Sequence, residues 1–182
     1  MKTETTAVDQ AAKRSDFLDG ETQDKTDKNS ADYITLIVDN QMFGIPVLEI
    51  RDILRTTKMT NIPLSPPEVE GSLNLRGHIV TAINVRRRLG LPEKERRSGE
   101  ELMNVVVERG EEMYSLIVDN VGDVLSLNKE SFESVPSTLD PVWRTIARGI
   151  YQMDDRLMVI ADVGALLDFS DNGDAAEGTE TE

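Results

Sequence analysis

The side chains with which this chain could do covalent or acid–base chemistry are few. Its 182 residues include no cysteine and one histidine, His78, beside 34 carboxylates. Without cysteine there is no thiolate nucleophile, no thiolate metal site and no disulfide framework. His78 follows a turn in RGHIV. A phosphoaccepting histidine needs a four-helix setting, and this one reads as a half-exposed strand residue. With a single histidine the usual catalytic triads and zinc sites fail too. Asp154 and Asp155 form a carboxylate pair, but adjacent acids in a tight hairpin are turn residues rather than a two-carboxylate catalytic site. No glycine loop of the phosphate-cradling kind is present. The expectation is a protein that is not an enzyme, with no catalytic residue, cofactor or metal.

Recognition chemistry remains, and two groups of arginines could supply it. NVRRRLGLPEKERR, residues 84 to 97, holds six basic residues and two acids in a chain whose net charge is −14. It is either a solvated face or a docking patch for an acidic protein surface, centred on Arg86, Arg87 and Arg88. The second group is a lone residue, Arg76, in the turn NLRG. It is either simply exposed or held by a carboxylate such as Asp52. The net charge opposes general binding to phosphate backbones, which depends on cations releasing counterions. Nucleic acid is therefore not an expected partner.

The elements that must carry these residues repeat. FGIPVLEIRDIL (43 to 54) aligns with YSLIVDNVGDVL (114 to 125) at an offset of 71. VEGSLNLRGHIVTAINVRRRL (69 to 89) aligns with ARGIYQMDDRLMVIADVGALL (147 to 167) at an offset of 78, so the second copy carries seven extra residues between the blocks. The pentapeptide LIVDN occurs at 36 to 40 and again at 116 to 120, yet the two are not equivalent: the first is expected to match VVVER with two extra loop residues, the second IPVLE. Each copy reads as short strands with polar turns, a proline-led turn of helix, a hairpin and a short terminal helix. The helical turns are expected from Ser65-Pro66-Pro67-Glu68, closed by Gly71, and from Asp140-Pro141, closed by Gly149. The hairpins should turn at Arg76-Gly77 and at Asp154-Asp155. One difference stands out, because QMDD replaces NLRG in the second hairpin. Asp52 has an equivalent in Asp123, but Arg76 has Asp154, so such a pair could form only in the first copy.

A copy of this length buries only about 60% of its chain's surface alone, so the two should pack together as small barrels with a groove between them. The folded part is expected over 32–169, with copies at about 33–91 and 102–169. Residues 1–31 and 170–182 read as disordered tails, the latter acidic. No apolar run approaches the roughly 20 residues that span a bilayer. MKTETTAVDQAAKRSDF lacks the apolar stretch of a secretory signal. A cytosolic protein without direct membrane insertion is expected.

FGIPVLEIRDIL, the proline segment after it, GSLNLRGHIVTAINVRRRLGL and LIVDNVGDVLSL together resemble the CheW family of bacterial chemotaxis coupling proteins, over about residues 32 to 169. The resemblance implies a mainly β fold of two packed five-stranded SH3-like β-barrels with short helices. It further implies a cytoplasmic adaptor in receptor arrays, joining the cytoplasmic tip of chemoreceptors to the regulatory domain of the histidine kinase CheA. The positions matching the family's receptor groove are Ile50, Asp52, Ile53, Leu75, Arg76 and Val121, and Asp52 stands where the family often has glutamate. The flanks leave no space for a fused receiver or kinase module, so a free-standing adaptor is expected. Two alternatives stay open: a scaffold of this kind in a non-chemotactic receptor–kinase pathway, and a small-barrel nucleic-acid binder using Arg86 to Arg97.

Overall fold

The computed structural model describes residues 29–55, 58–93 and 102–169. The chain runs β1 (Ser30–Val38), β2 (Gln41–Pro46), β3 (Ile50–Arg55), β4 (Val69–Leu75), β5 (His78–Asn84) and α1 (Val85–Arg88). It continues as β6 (Met103–Arg109), β7 (Glu112–Val118), β8 (Asn120–Asn128), β9 (Phe132–Glu133), α2 (Pro141–Ile146), β10 (Ala147–Gln152), β11 (Leu157–Ala161) and α3 (Val163–Leu166). Short Val/Ile/Leu-rich runs alternate with polar turns, which is why strands prevail and helices stay at one turn or so.

Two sheets result, with strand orders β8-β1-β2-β11-β10-β9 and β3-β6-β7-β5-β4. Apart from the two-residue β9, a sixth strand where five were expected, the orders are the same under the exchange of β1, β2, β3, β4, β5 for β6, β7, β8, β10, β11. Each sheet mixes the two sequence copies. The first hairpin of one copy joins the later strands of the other, because only Val47–Glu49, a single 3-10 turn, separates β2 from β3 and leads the chain straight across to the facing sheet. The parallel ladders carry both offsets: Phe43 pairs with Val159 and Tyr114 with Thr81, residues related by 71 and 78.

The first hairpins correct one alignment. Leu36 pairs with Phe43 and Val107 with Tyr114, so Leu36 corresponds to Val107 and the first LIVDN stands opposite VERGE, not VVVER. There are no extra loop residues. Both turns have two residues, Asp39-Asn40 and Gly110-Glu111, and Asp39, Asn40 and Gly110 all take the positive φ of primed hairpin turns.

The proline segments also differ from expectation. Asp140 caps α2 through the Val142 N–H at 2.8 Å, with Pro141 at the first helical position. Pro66-Pro67 instead forms only a turn, closed by the Val69 N–H on the Pro66 carbonyl at 2.9 Å. The strand β4 begins three residues after Pro66, which leaves no room for a helical ladder. Gly71 and Gly149 close no helix. Both sit inside strands at equivalent bulges, where the β4–β5 and β10–β11 registers shift. β1 starts at Ser30, ahead of the expected boundary, and Ser30 and Ala31 pair with Asn128 and Leu127 of β8. The remainder of both tails lies outside the described residues.

The main core lies between the sheets and takes Leu36, Phe43 and Ile45 from one, Ile83, Val105 and Leu116 from the other, with Ile146 and Leu166 of the helices closing its end. Each sheet curls its other face around a smaller core. Leu73, Val80, Val106 and Ile117 fill the second barrel, and Tyr33, Tyr151, Met158 and Ile160 the first. The mutual burial of the two sheets decides the fold, since each large apolar side chain removed from water contributes about 1.5–3 kcal/mol.

Candidate functional site

The expected groove residues divide between the sheets. Ile50, Asp52 and Ile53 lie on β3, an edge strand of the second sheet, with a bulge between Ile50 and Asp52. Ile50 and Val121 both pack against the main core from opposite sheets and are half-buried. Ile53 is 36% exposed, and Leu75 packs on the second barrel's interior. β3 and β4 are the two edges of that sheet, and its curl brings the turn after β4 round to β3.

Across this seam Arg76 Nη2 stands 3.2 Å from Asp52 Oδ2. The aspartate reaches despite its short side chain. Its other oxygen accepts the Ile53 N–H at 2.9 Å, which holds the carboxylate in place. The arginine side chain is 82% exposed and the aspartate 29%, so the pair is an oriented surface pair rather than a buried bridge. Arg76 has φ 52 and Gly77 φ 92, a left-handed pair of turn residues. A long L side chain there is disfavoured by roughly 1–2 kcal/mol against glycine. Beside this turn Ile79 is 79% exposed, an apolar surface residue that sequence reasoning missed. Its alternation with buried Val80 along β5 was the available signal. His78 is exposed at the start of that strand.

Of the three consecutive arginines, Arg86 and Arg88 turn inward, while Arg87 is 36% exposed and pairs at the surface. Arg86 donates to both oxygens of Asp119, at 2.8 and 2.7 Å, to Asp39 at 3.1 Å and to the Pro92 carbonyl at 2.9 Å. Its side chain is 12% exposed and that of Asp119 10%. The hydrogen bond to Asp119 holds the guanidinium's pKa above its ordinary value. Asp39 and Asp119 are the aspartates of the two LIVDN strings, so residues that are not equivalent in the repeat converge on one cation. Arg87 engages Glu70, Glu93 and the Pro67 carbonyl. Arg88 donates to the carbonyls of Ala165, Leu166 and Asp168 at the end of α3 and lies 5.9 Å over the Phe169 ring. Arg86 and Arg88 thus spend donors on internal acceptors, and Arg87 remains the more exposed of the three. The basic residues from 94 to 97 lie outside the described residues.

Among the described residues no group of three or more carboxylate or histidine side chains is placed to hold a metal, and no helix is long and apolar enough to cross a membrane. Fold and site together define a double small-barrel module with an oriented arginine at the seam of one barrel. The chain belongs to the CheW-like family, whose domain profile matches residues 32–170. It is 28% identical to the chemotaxis protein CheW of Bacillus subtilis over 78% of this chain and 89% of that one. It is 29% identical to a probable chemotaxis protein CheW of Rhizobium etli over 73% and 84%. The crystal structure of the scaffolding protein TtCheW from Thermoanaerobacter tengcongensis shares the fold with a TM-score of 0.69 at 24% identity, over 78% of this chain and 90% of that one.

Proposed function

We propose that this protein is a non-catalytic cytoplasmic adaptor of chemotaxis. It joins the cytoplasmic tip of chemoreceptors to the regulatory domain of the histidine kinase CheA, within receptor arrays and without cofactor or metal. The receptor contacts the region of Ile50, Asp52, Ile53, Leu75, Arg76 and Val121, while exposed barrel edges meet the kinase. One observation carries the reading. Arg76 keeps a mostly exposed guanidinium on a left-handed backbone that favours glycine, and an ion pair aims it across the seam. A strained, exposed and oriented cation does little for folding, and such residues collect where partners bind.

Co-sedimentation of a chemoreceptor cytoplasmic fragment, CheA and this protein, with kinase activity as readout, tests the proposal. Receptor-dependent kinase activity should require this protein and fall with Arg76→Ala. Full coupling by a folded Arg76→Ala protein would remove Arg76 from the site, and no coupling by the parent would overturn the function.

A further inference from the structure

The two barrel hairpins have the same length but different turns. Leu75 pairs with His78 around Arg76-Gly77, and in the second copy the Met153 N–H meets the Arg156 carbonyl at 2.9 Å around Asp154-Asp155. Only the first turn takes positive φ at both residues. That is the mirror-image turn that matches the twist of a hairpin, and it favours Asn-Gly rather than Arg-Gly. Gly77 supplies its second position freely. Something must hold Arg76 at the first.

The neighbouring side chain does so. Asn74 Oδ1 accepts the Gly77 N–H at 2.9 Å, spanning the turn from the last exposed residue before it. In a two-residue hairpin this amide lies outside the ladder, so the side chain gives it a partner and ties the turn to β4. The corresponding residue of the second hairpin, Gln152, turns its amide to the Met153 carbonyl at 3.4 Å and makes no such bridge. The asparagine bridge, the left-handed arginine and the Asp52 pair therefore occur together, in one copy only.

We propose that Asn74 is a positioning residue for Arg76. Its bond to the Gly77 amide keeps the turn in the left-handed form from which the guanidinium reaches Asp52 and faces a partner. Asn74 itself touches no partner. Its value to binding rests on the receptor-contact role assigned to Arg76, whereas its hold on the turn does not.

The test uses the full chain with Asn74→Ala, Asn74→Asp, Arg76→Ala and the Asn74→Ala/Arg76→Ala double variant. Asn74→Ala should speed exchange of the Gly77 amide with water and move the Arg76 HN–Hα coupling away from its left-handed value. Asn74→Asp, which keeps the acceptor, should restore both. Unchanged Gly77 exchange and Arg76 coupling in Asn74→Ala would overturn the proposal. Binding to a chemoreceptor cytoplasmic fragment should weaken about 5-fold in Asn74→Ala, the worth of one hydrogen bond. The double variant should bind no worse than Arg76→Ala, and additive losses would overturn the claim that Asn74 acts through Arg76. If Arg76→Ala binds like the parent, the receptor-contact reading fails, and the exchange and coupling data still decide what Asn74 does to the turn.

Discussion

Replacing Arg86 by alanine should be among the most damaging single changes to this fold. Arg86 lies in α1 directly after β5 of the second sheet, Asp39 lies in the β1–β2 turn of the first, and Asp119 is where β7 of one sheet hands the chain to β8 of the other. The substitution removes two hydrogen bonds to Asp119, one to Asp39 and one to the Pro92 carbonyl. It also takes from Asp119, 10% exposed, and from Asp39 beside it the cation they share, although Asp119 keeps the Asp39 N–H at 2.9 Å. Breaking one partner of a buried pair costs about 3–5 kcal/mol. Asp39 is 44% exposed and water will screen part of that loss, so about 3 kcal/mol is expected. For a domain of this size that lowers the midpoint of thermal unfolding by about 10 °C. Arg86→Lys should recover less than half, because a single ammonium cannot serve both oxygens of Asp119 in the bidentate geometry. Asp39→Ala should cost below about 1 kcal/mol. Thermal unfolding followed by circular dichroism would report all three. A fall under about 2 °C for Arg86→Ala, or an equal effect of Asp39→Ala, would refute the assignment of the burden to the Arg86–Asp119 pair.

Arg76→Gly should keep or raise stability, by up to about 1 kcal/mol, since it relieves the left-handed backbone and removes only an exposed pair, while receptor coupling is lost. A clear drop in the urea midpoint would show the pair to be structural. Gly149→Ala should destabilise by about 1–3 kcal/mol, because an added Cβ would stand 2.6 Å from the Glu133 carbonyl oxygen and against the Phe132 ring. Gly71→Ala should do the same against the Thr60 carbonyl at 2.5 Å, and denaturant unfolding checks both. Burial alone would raise the Asp162 pKa, but the Ala165 N–H and Arg148 outweigh it, and the net shift is downward. A depressed carboxylate contributes stability above its unfolded pKa of about 3.9 and loses it as pH falls through the lower folded value. The stability difference between the parent and Asp162→Asn, which keeps a capping oxygen, should therefore be constant near neutrality and shrink below about pH 4. Urea titrations from pH 7 to 3 would show it, and a pH-independent difference would disprove the charge's role.

The repeat, the strand-rich class and the absence of cysteine chemistry were legible in the order of residues alone. Local sequence determines where an apolar strand stops, where proline and aspartate open α2, and where Arg76-Gly77 must turn, since each depends on neighbours within a few positions. The first LIVDN was misaligned for the same reason. Apolar strands slide past one another in a sequence comparison without penalty, and only the pairing of Leu36 with Phe43 and of Val107 with Tyr114 pins them. Pro66-Pro67 carried the local signal of a helix start, but the early onset of β4 overrode it.

Tertiary structure alone decided three further matters. It exchanged the first hairpins between the copies, because a single 3-10 turn delivers β3 to the facing sheet. It turned Arg86 and Arg88 inward, since the acceptors that take those guanidiniums stand 33 residues away in Asp119 and 77 and 78 away in Ala165 and Leu166. It brought the β4–β5 turn to the β3 edge, so that Asp52 and Arg76 meet. Composition and spacing state which charges exist. Which of them find partners, and which stay exposed to meet another protein, is a property of distances that only the packed chain possesses.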